Sequence, residues 1–240
     1  MINHYELTLL PPPGQTLFSG WAYRLYSWLL SQLSPEEGER FHSQAEHPIS
    51  QYLCIEQGKA VWHISLLNEE AYALFSPVLD TVESMGLRRG TVFVSERRQF
   101  STEYRDLALS SQDNPSQIAV LQLLTPMAFK QGGRYVAFPQ ERLILQSLLN
   151  RWNAFSGDYP IEDDDAIRML ERGIHFGDYT LRSQRYPLKA TSIPGFMGEL
   201  TMISRLPAPM QELWTALLRF APYSGIGIKT ALGMGGIRIQ

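Results

Sequence analysis

The sequence predicts an α+β protein made of two successive βαββαβ units, and three observations carry that prediction. Alternating segments and segments with three- and four-residue apolar spacing follow one another twice, in the same order, along the 240 residues. A polar stretch with the composition of a linker, "SSQDNPSQ", separates the two runs. No apolar run reaches the length of a bilayer span, and 44% apolar with 19% charged residues is the balance of a chain that buries a core.

In the first run, "YELTLL" from Tyr5 alternates as a half-buried strand does, and Pro11-Pro12-Pro13-Gly14 ends it. From Leu17 to Leu33 the apolar residues Leu17, Trp21, Leu25, Trp28 and Leu29 recur on one helical face. Ser34-Pro35-Glu36-Glu37 then starts a short helix, with proline in the first turn and acids near the positive dipole end, running into Phe41-His42. "SQYLCIE" and "AVWHISLL" flank Gln57-Gly58-Lys59, which makes a hairpin. Asn68-Glu69-Glu70 caps a helix carried by Tyr72, Leu74, Phe75, Val78 and Leu79, which Gly86 is expected to close before the strand "GTVFVSE".

In the second run, "IAVLQLL" is a strand that Gly132-Gly133 is expected to turn into "RYVAF". Pro139 opens a helix with Leu143, Leu145, Leu148 and Leu149 on one side, and the acidic "EDDDAIRML" begins another helical piece. "YTLRSQRY" and "GELTMISRL" alternate as strands, "APMQELWTALLRF" is an amphipathic helix, and "GGIRIQ" reads as a short final strand. Each half is thus a ferredoxin-like unit, giving a first domain over residues 1–112 and a second over 113–240.

A net charge of −3 argues against a broadly basic nucleic-acid coat and directs the search to local patches. The single cysteine, Cys54, excludes an internal disulfide framework and a Cys-cluster metal site, and makes the cytoplasm the expected setting. The N-terminus lacks the basic-then-apolar pattern of a signal peptide, and no membrane partner is expected.

"SGIGIKTALGMGGI", residues 224–237, crowds five glycines around Lys229 and Thr230. A nucleotide P-loop fails on spacing, because Ile228 stands before Lys229 where a glycine is required. A dinucleotide fingerprint fails too, since Thr230 occupies the place of its third glycine. Two readings stay open: a backbone that approaches a polyanion closely, and a tight turn between two elements.

In these segments taken together, the sequence resembles the CRISPR repeat-processing endoribonucleases of the RAMP superfamily over nearly its whole length. The family carries a C-terminal loop of two small glycine clusters split by about five residues, one usually basic; "GIGIKTALGMG" fits, with Gly225 and Gly227, then Lys229, then Gly233 and Gly235. "LLTPMAFK" (123–130) and "PGFMGELTMIS" (194–204) resemble second-domain segments of the family. "SGWAYRLYSWLL" looks like its helix in which tyrosine follows glycine by three, here Gly20 and Tyr23, and "RFHSQAEHPISQYLCI" looks like the segment that follows. His42 matches the family's catalytic histidine; where some members place a lysine shortly before the second strand, this chain has His47.

The resemblance implies cleavage of precursor RNA within each repeat. RNA supplies its own nucleophile, the 2′-hydroxyl, so 2′,3′-cyclic phosphate and 5′-hydroxyl ends require proton transfer and charge stabilisation, and no metal or other cofactor is expected for the reaction. His42 would move a proton, Tyr23 would donate to or position the scissile phosphate, and a protonated His47 would supply the positive charge that lysine gives elsewhere. For holding RNA, the expected contacts are Lys229, Thr230 and the amides around Gly225, Gly227, Gly233 and Gly235, with Arg182, Arg185 and Lys189 as a basic stripe on a second-domain strand. His4, His63 and His175 are assigned to structure. A second reading from another class remains: a non-catalytic RAMP subunit that binds guide RNA in a CRISPR effector complex. Whether the chain forms a homodimer is left open.

Overall fold

The computed structural model describes residues 1–43, 46–113 and 117–240, with the side chains of 42–43 and 110–113 outside the description. The first half runs β1 (Ile2–Leu10), α1 (Ala22–Leu30), α2 (Pro35–Ser43), β2 (Ile49–Glu56), β3 (Lys59–Leu66), α3 (Glu69–Leu79), β4 (Ser84–Leu87) and β5 (Gly90–Thr102). Its sheet has the order β2-β3-β1-β5-β4, with every described pairing antiparallel. This is the ferredoxin-like order, extended at one edge by β4.

The sequence placed Gly86 as the stop of the third helix, and the structure moves it. Helix α3 ends at Leu79, where Thr81 donates to the Pro77 carbonyl and the Val82 amide to that of Val78, and Gly86 lies in β4 opposite Thr91. The N-terminal signal held, since the Asn68 side chain accepts from the Ala71 amide at 2.8 Å. The helix read from Leu17 to Leu33 is shorter: a 3₁₀ turn over Ser19–Trp21 precedes α1. A β-carbon on Gly20 would lie 2.8 Å from the Pro187 ring, so glycine lets this entry turn press against the second half of the chain.

Helix α4 (Tyr104–Asp113) leads to β6 (Ile118–Met127), β7 (Phe129–Gln131), β8 (Arg134–Val136), α5 (Glu141–Phe155), α6 (Asp164–Gly173), β9 (Ile174–Leu188), β10 (Thr191–Ser204), α7 (Ala208–Ser224) and β11 (Ile237–Ile239). The order β11-β6-β10-β9 is again ferredoxin-like. The expected turn at Gly132-Gly133 exists, at φ 54° and 79°, but it closes the separate hairpin β7–β8 rather than folding β6 back on itself. Both halves of the chain are therefore α+β ferredoxin-like units in tandem.

Alternation along the strands decides what each face does. Tyr5, Leu7 and Leu9 of β1, with Trp62 and Ile64 of β3, bury themselves under α1 and α3. The intervening residues His4, Glu6, His63 and Ser65 form a polar row on the opposite face, which the end of the chain covers: the Tyr223 ring stands edge-on to His4 at 5.7 Å, and Arg238 of β11 pairs with Glu56 at 2.6 Å. Helix α4 follows the first sheet in the chain but packs on α7, its Tyr104 and Leu107 joining the second core. Among the described residues no helix is long and apolar enough to cross a membrane.

Candidate RNA-cleavage site

A cleft of about 1010 Å³ opens between α1 and the segment preceding β2 on one side, and α5, the β7–β8 hairpin and the glycine segment on the other. Tyr23, in the first turn of α1, lines it, held against a small apolar cluster of Ala128, Tyr186, Leu188, Ile193 and Met234. Lys189, in the β9–β10 turn at φ 55°, places its ammonium 5.6 Å from the centre of the Tyr23 ring, within cation–π range.

His47 also lines the cleft, its ring stacked on Phe41 at 5.3 Å. The segment that carries it is tied down by Arg151 of α5, whose Nη2 donates to the carbonyls of His47 and Ile49, both at 3.4 Å, while Nη1 lies 3.7 Å from Glu46. Burial pushes the Arg151 guanidinium down to about 10, opposed by Glu46, so it stays charged at neutral pH. The sequence reading missed Arg151, although a signal was present. It sits among Leu148, Leu149 and Trp152 on the apolar face of its helix, where an unpaired charge would be costly.

His42 belongs to the last turn of α2, and its side chain lies outside the described residues.

The glycine segment departs from expectation in an informative way. It was expected to offer backbone amides to phosphate, but they are mostly committed within the protein. Ile226 N–H bonds Gly235 O, Ile228 N–H bonds Ala128 O, Gly235 N–H bonds Pro126 O, and Gly227 N–H bonds Ser147 Oγ at 2.8 Å. The amides of Gly225, Leu232, Met234 and Gly236 also have internal acceptors. Gly225, Gly233 and Gly235 are buried, and Thr230 is only 3% exposed. At Gly235, φ +69°, a β-carbon would run into the Ile226 carbonyl; at Gly233, φ +103°, it would run into the Tyr186 hydroxyl. These glycines let a knot of backbone close on itself, and its outer residue is Lys229, exposed and left-handed at φ 60°. Two side chains clamp the knot to both sheets: Gln51 of β2 donates to the Ala231 carbonyl at 3.0 Å, and Tyr186 of β9 to that of Leu232 at 2.7 Å.

The expected basic stripe is corrected too. Arg182 and Arg185 lie three residues apart on β9 in unbroken register, so their side chains leave opposite faces, and Arg185 spends its guanidinium on Ser192 across the hairpin. Neither lines the cleft. Tyr23, His47, Lys189, Gly227, Lys229 and Thr230 do, together with Lys130 and Arg151, which sequence reasoning did not nominate. Among its described residues, four cations stand against one acid, Glu46, which gives the cleft the charge of a phosphate-binding surface.

A family model described as CRISPR-associated endoribonuclease Cas6 matches residues 121–237. A CRISPR-associated endoribonuclease Cas6 of Streptococcus thermophilus is 26% identical over 231 residues, covering 95% of this chain and 93% of that protein. One of Mycobacterium tuberculosis is 29% identical over 224 residues, covering 90% of this chain and 70% of that protein. Among solved structures, a Cas6 product complex superposes with a TM-score of 0.83 at 26% identity, covering 100% of both chains. A Thermus thermophilus Cas6 gives 0.75 at 25% identity, covering 100% of this chain and 98% of that one. The resemblance to the CRISPR repeat-processing endoribonucleases of the RAMP superfamily, first read from the glycine segment and the first-domain motifs, therefore holds in sequence, in family model and in fold.

Proposed function

We propose that the chain is a metal-independent endoribonuclease that cuts CRISPR precursor RNA within its repeats, in the cytoplasm. One observation supports this most strongly. In a chain with full-length Cas6 relatives, Tyr23 and His47 of the first sheet's side share a single cationic cleft with Lys189 and Lys229 of the second. In the reaction the 2′-oxygen attacks the adjacent phosphorus, the P–O5′ bond breaks, one proton leaves the 2′-hydroxyl and another reaches the 5′-oxygen. His42, assigned from the sequence match, moves a proton; each such transfer is worth roughly 10²- to 10⁴-fold in rate. The Tyr23 phenol donates to the phosphate oxygens, Lys229 and Lys189 hold the neighbouring phosphates, and His47 adds positive charge when protonated.

The test is cleavage of repeat RNA in EDTA, with end-group analysis. A cyclic phosphate on the upstream fragment, lost in His42→Ala, is the expected result. RNA bound tightly yet left whole by the unaltered protein would refute the reaction and favour the guide-binding subunit. Equal cleavage by His42→Ala would refute the assignment of the proton transfer.

A further inference from the structure

On the polar face of the first sheet, away from the cleft, two histidines and two carboxylates converge in a way that cleavage does not use. Glu6 and His63 stand directly opposite each other on β1 and β3, and His4 stands opposite Ser65, so all four side chains share one face. His4 Nδ1 is 2.8 Å from Ser65 Oγ, and His63 Nε2 is 3.2 Å from Glu56 Oε1. Each ring thus has a polar partner at its outer nitrogen. The two inner nitrogens, His4 Nε2 and His63 Nδ1, then face each other at 3.2 Å, and Glu6 Oε1 lies 3.9 and 3.8 Å from them.

Without an ion, a single N–H···N hydrogen bond spans these two nitrogens; with both outer nitrogens protonated, the same pair offers two lone pairs to one cation. The three separations define a point about 2.1 Å from all three atoms, which is the length of a zinc–imidazole or zinc–carboxylate bond. That point lies in the plane of the three atoms, so a tetrahedral ion with water as a fourth ligand needs the Glu6 carboxylate to close in by about 0.4 Å. Ser65 hydrogen-bonds the outer nitrogen of His4, and Glu56 lies within ion-pair distance of that of His63, the places that outer partners of metal-bound histidines normally take. Arg238 balances Glu56, and Tyr52 stacks on the His63 ring at 4.6 Å. A small cleft of about 220 Å³, lined by His4, Glu6, Tyr52 and His63 among others, leaves room for a water as fourth ligand.

We propose that His4 Nε2, His63 Nδ1 and the Glu6 carboxylate bind a divalent transition ion of the zinc class, joining β1 to β3 beneath the C-terminal strand. The site is structural, and it does not depend on the RNA-cleavage reading, because none of its three ligands lines the catalytic cleft.

The full chain, without an affinity tag, is stripped with EDTA, returned to chelator-free buffer and titrated with zinc chloride against a chromogenic chelator, with thermal melts in parallel. One Zn²⁺ per chain is expected, with the melting temperature raised by roughly 5–10 °C at a hundredfold excess over Kd. Glu6→Gln preserves shape and should weaken zinc about tenfold or more while melting as the stripped parent does. Cys54→Ser should leave the affinity unchanged, and Co²⁺ in place of zinc should show visible d–d bands without a near-ultraviolet thiolate band. Failure of the unaltered protein to take up zinc stoichiometrically, or undiminished affinity in Glu6→Gln, overturns the site. Loss of binding in Cys54→Ser overturns this ligand set.

Discussion

Replacing Gly235 by alanine separates the two jobs that a glycine-rich segment can do. If its glycines chiefly let the backbone touch RNA, the substitution should weaken RNA binding and leave stability alone. The geometry says the reverse. Gly235 is left-handed at φ +69°, a conformation that costs an alanine roughly 1 kcal/mol, and the new β-carbon meets the Ile226 carbonyl, a backbone atom with little room to yield. Relieving that contact strains two buried hydrogen bonds, Ile226 N–H to Gly235 O at 3.0 Å and Gly235 N–H to Pro126 O at 3.0 Å, worth about 1 kcal/mol apiece and more if left unmade. The total is about 3–5 kcal/mol, which for a chain of this length lowers the melting temperature by roughly 6–15 °C. The assay is a thermal melt by circular dichroism, paired with RNA binding below the transition. Lys229→Gly is the counterpart: it relieves a left-handed lysine, so stability should hold or rise slightly, while one lost phosphate contact lowers the salt slope of single-strand binding by about 0.7. A Gly235→Ala protein that melts with its parent but binds RNA poorly would refute the reasoning.

Tyr23→Phe keeps the ring beneath Lys189 and removes only the hydroxyl, so single-turnover cleavage should fall by about 10- to 100-fold with RNA affinity unchanged; an unaltered rate would remove the phenol from the chemistry. Arg151→Met replaces a buried cation with a shorter apolar chain, and should lower kcat more than it raises KM because the His47 segment loses its tether. Partial recovery in Arg151→Lys would separate tethering from packing, and wild-type kinetics in Arg151→Met would disprove the tether. Burial, reinforced by His63, holds His4 near 3, below its ordinary 6.5, so the unfolded chain binds the extra proton between those values. The stability this residue contributes is complete above about pH 6.5 and is lost as pH falls toward 3. In the metal-stripped protein, His4→Gln should therefore flatten the acid side of a melting-temperature profile, and a profile of unchanged slope would contradict it.

Much of the architecture was legible because it rests on local patterns. The alternation of β1, the Asn68 cap and the two helix-period runs each record a face that must be buried, and the burial that results matches them. Gly86 misled because a glycine after an apolar helix is a common stop, whereas here the helix had already closed through Thr81 and Val82. Of the residues expected at the site, Tyr23, His47 and Lys229 line one cleft. Arg182 and Arg185 were misjudged on strand parity, a matter of register that "YTLRSQRY" alone leaves undefined.

The chain's order of residues determined two ferredoxin-like units, a glycine-rich segment at residues 224–237 and a family resemblance, because periodicity and motif spacing are properties of neighbours along the polymer. Only the tertiary structure decided that the knot's amides are used internally, that Arg151 reaches from α5 to hold the His47 segment, and that His4, Glu6 and His63 converge on one point. Those facts depend on strands paired across some 60 residues and on elements 100 or more residues apart. Contacts of that range are set by which faces pack together, and no local pattern encodes them.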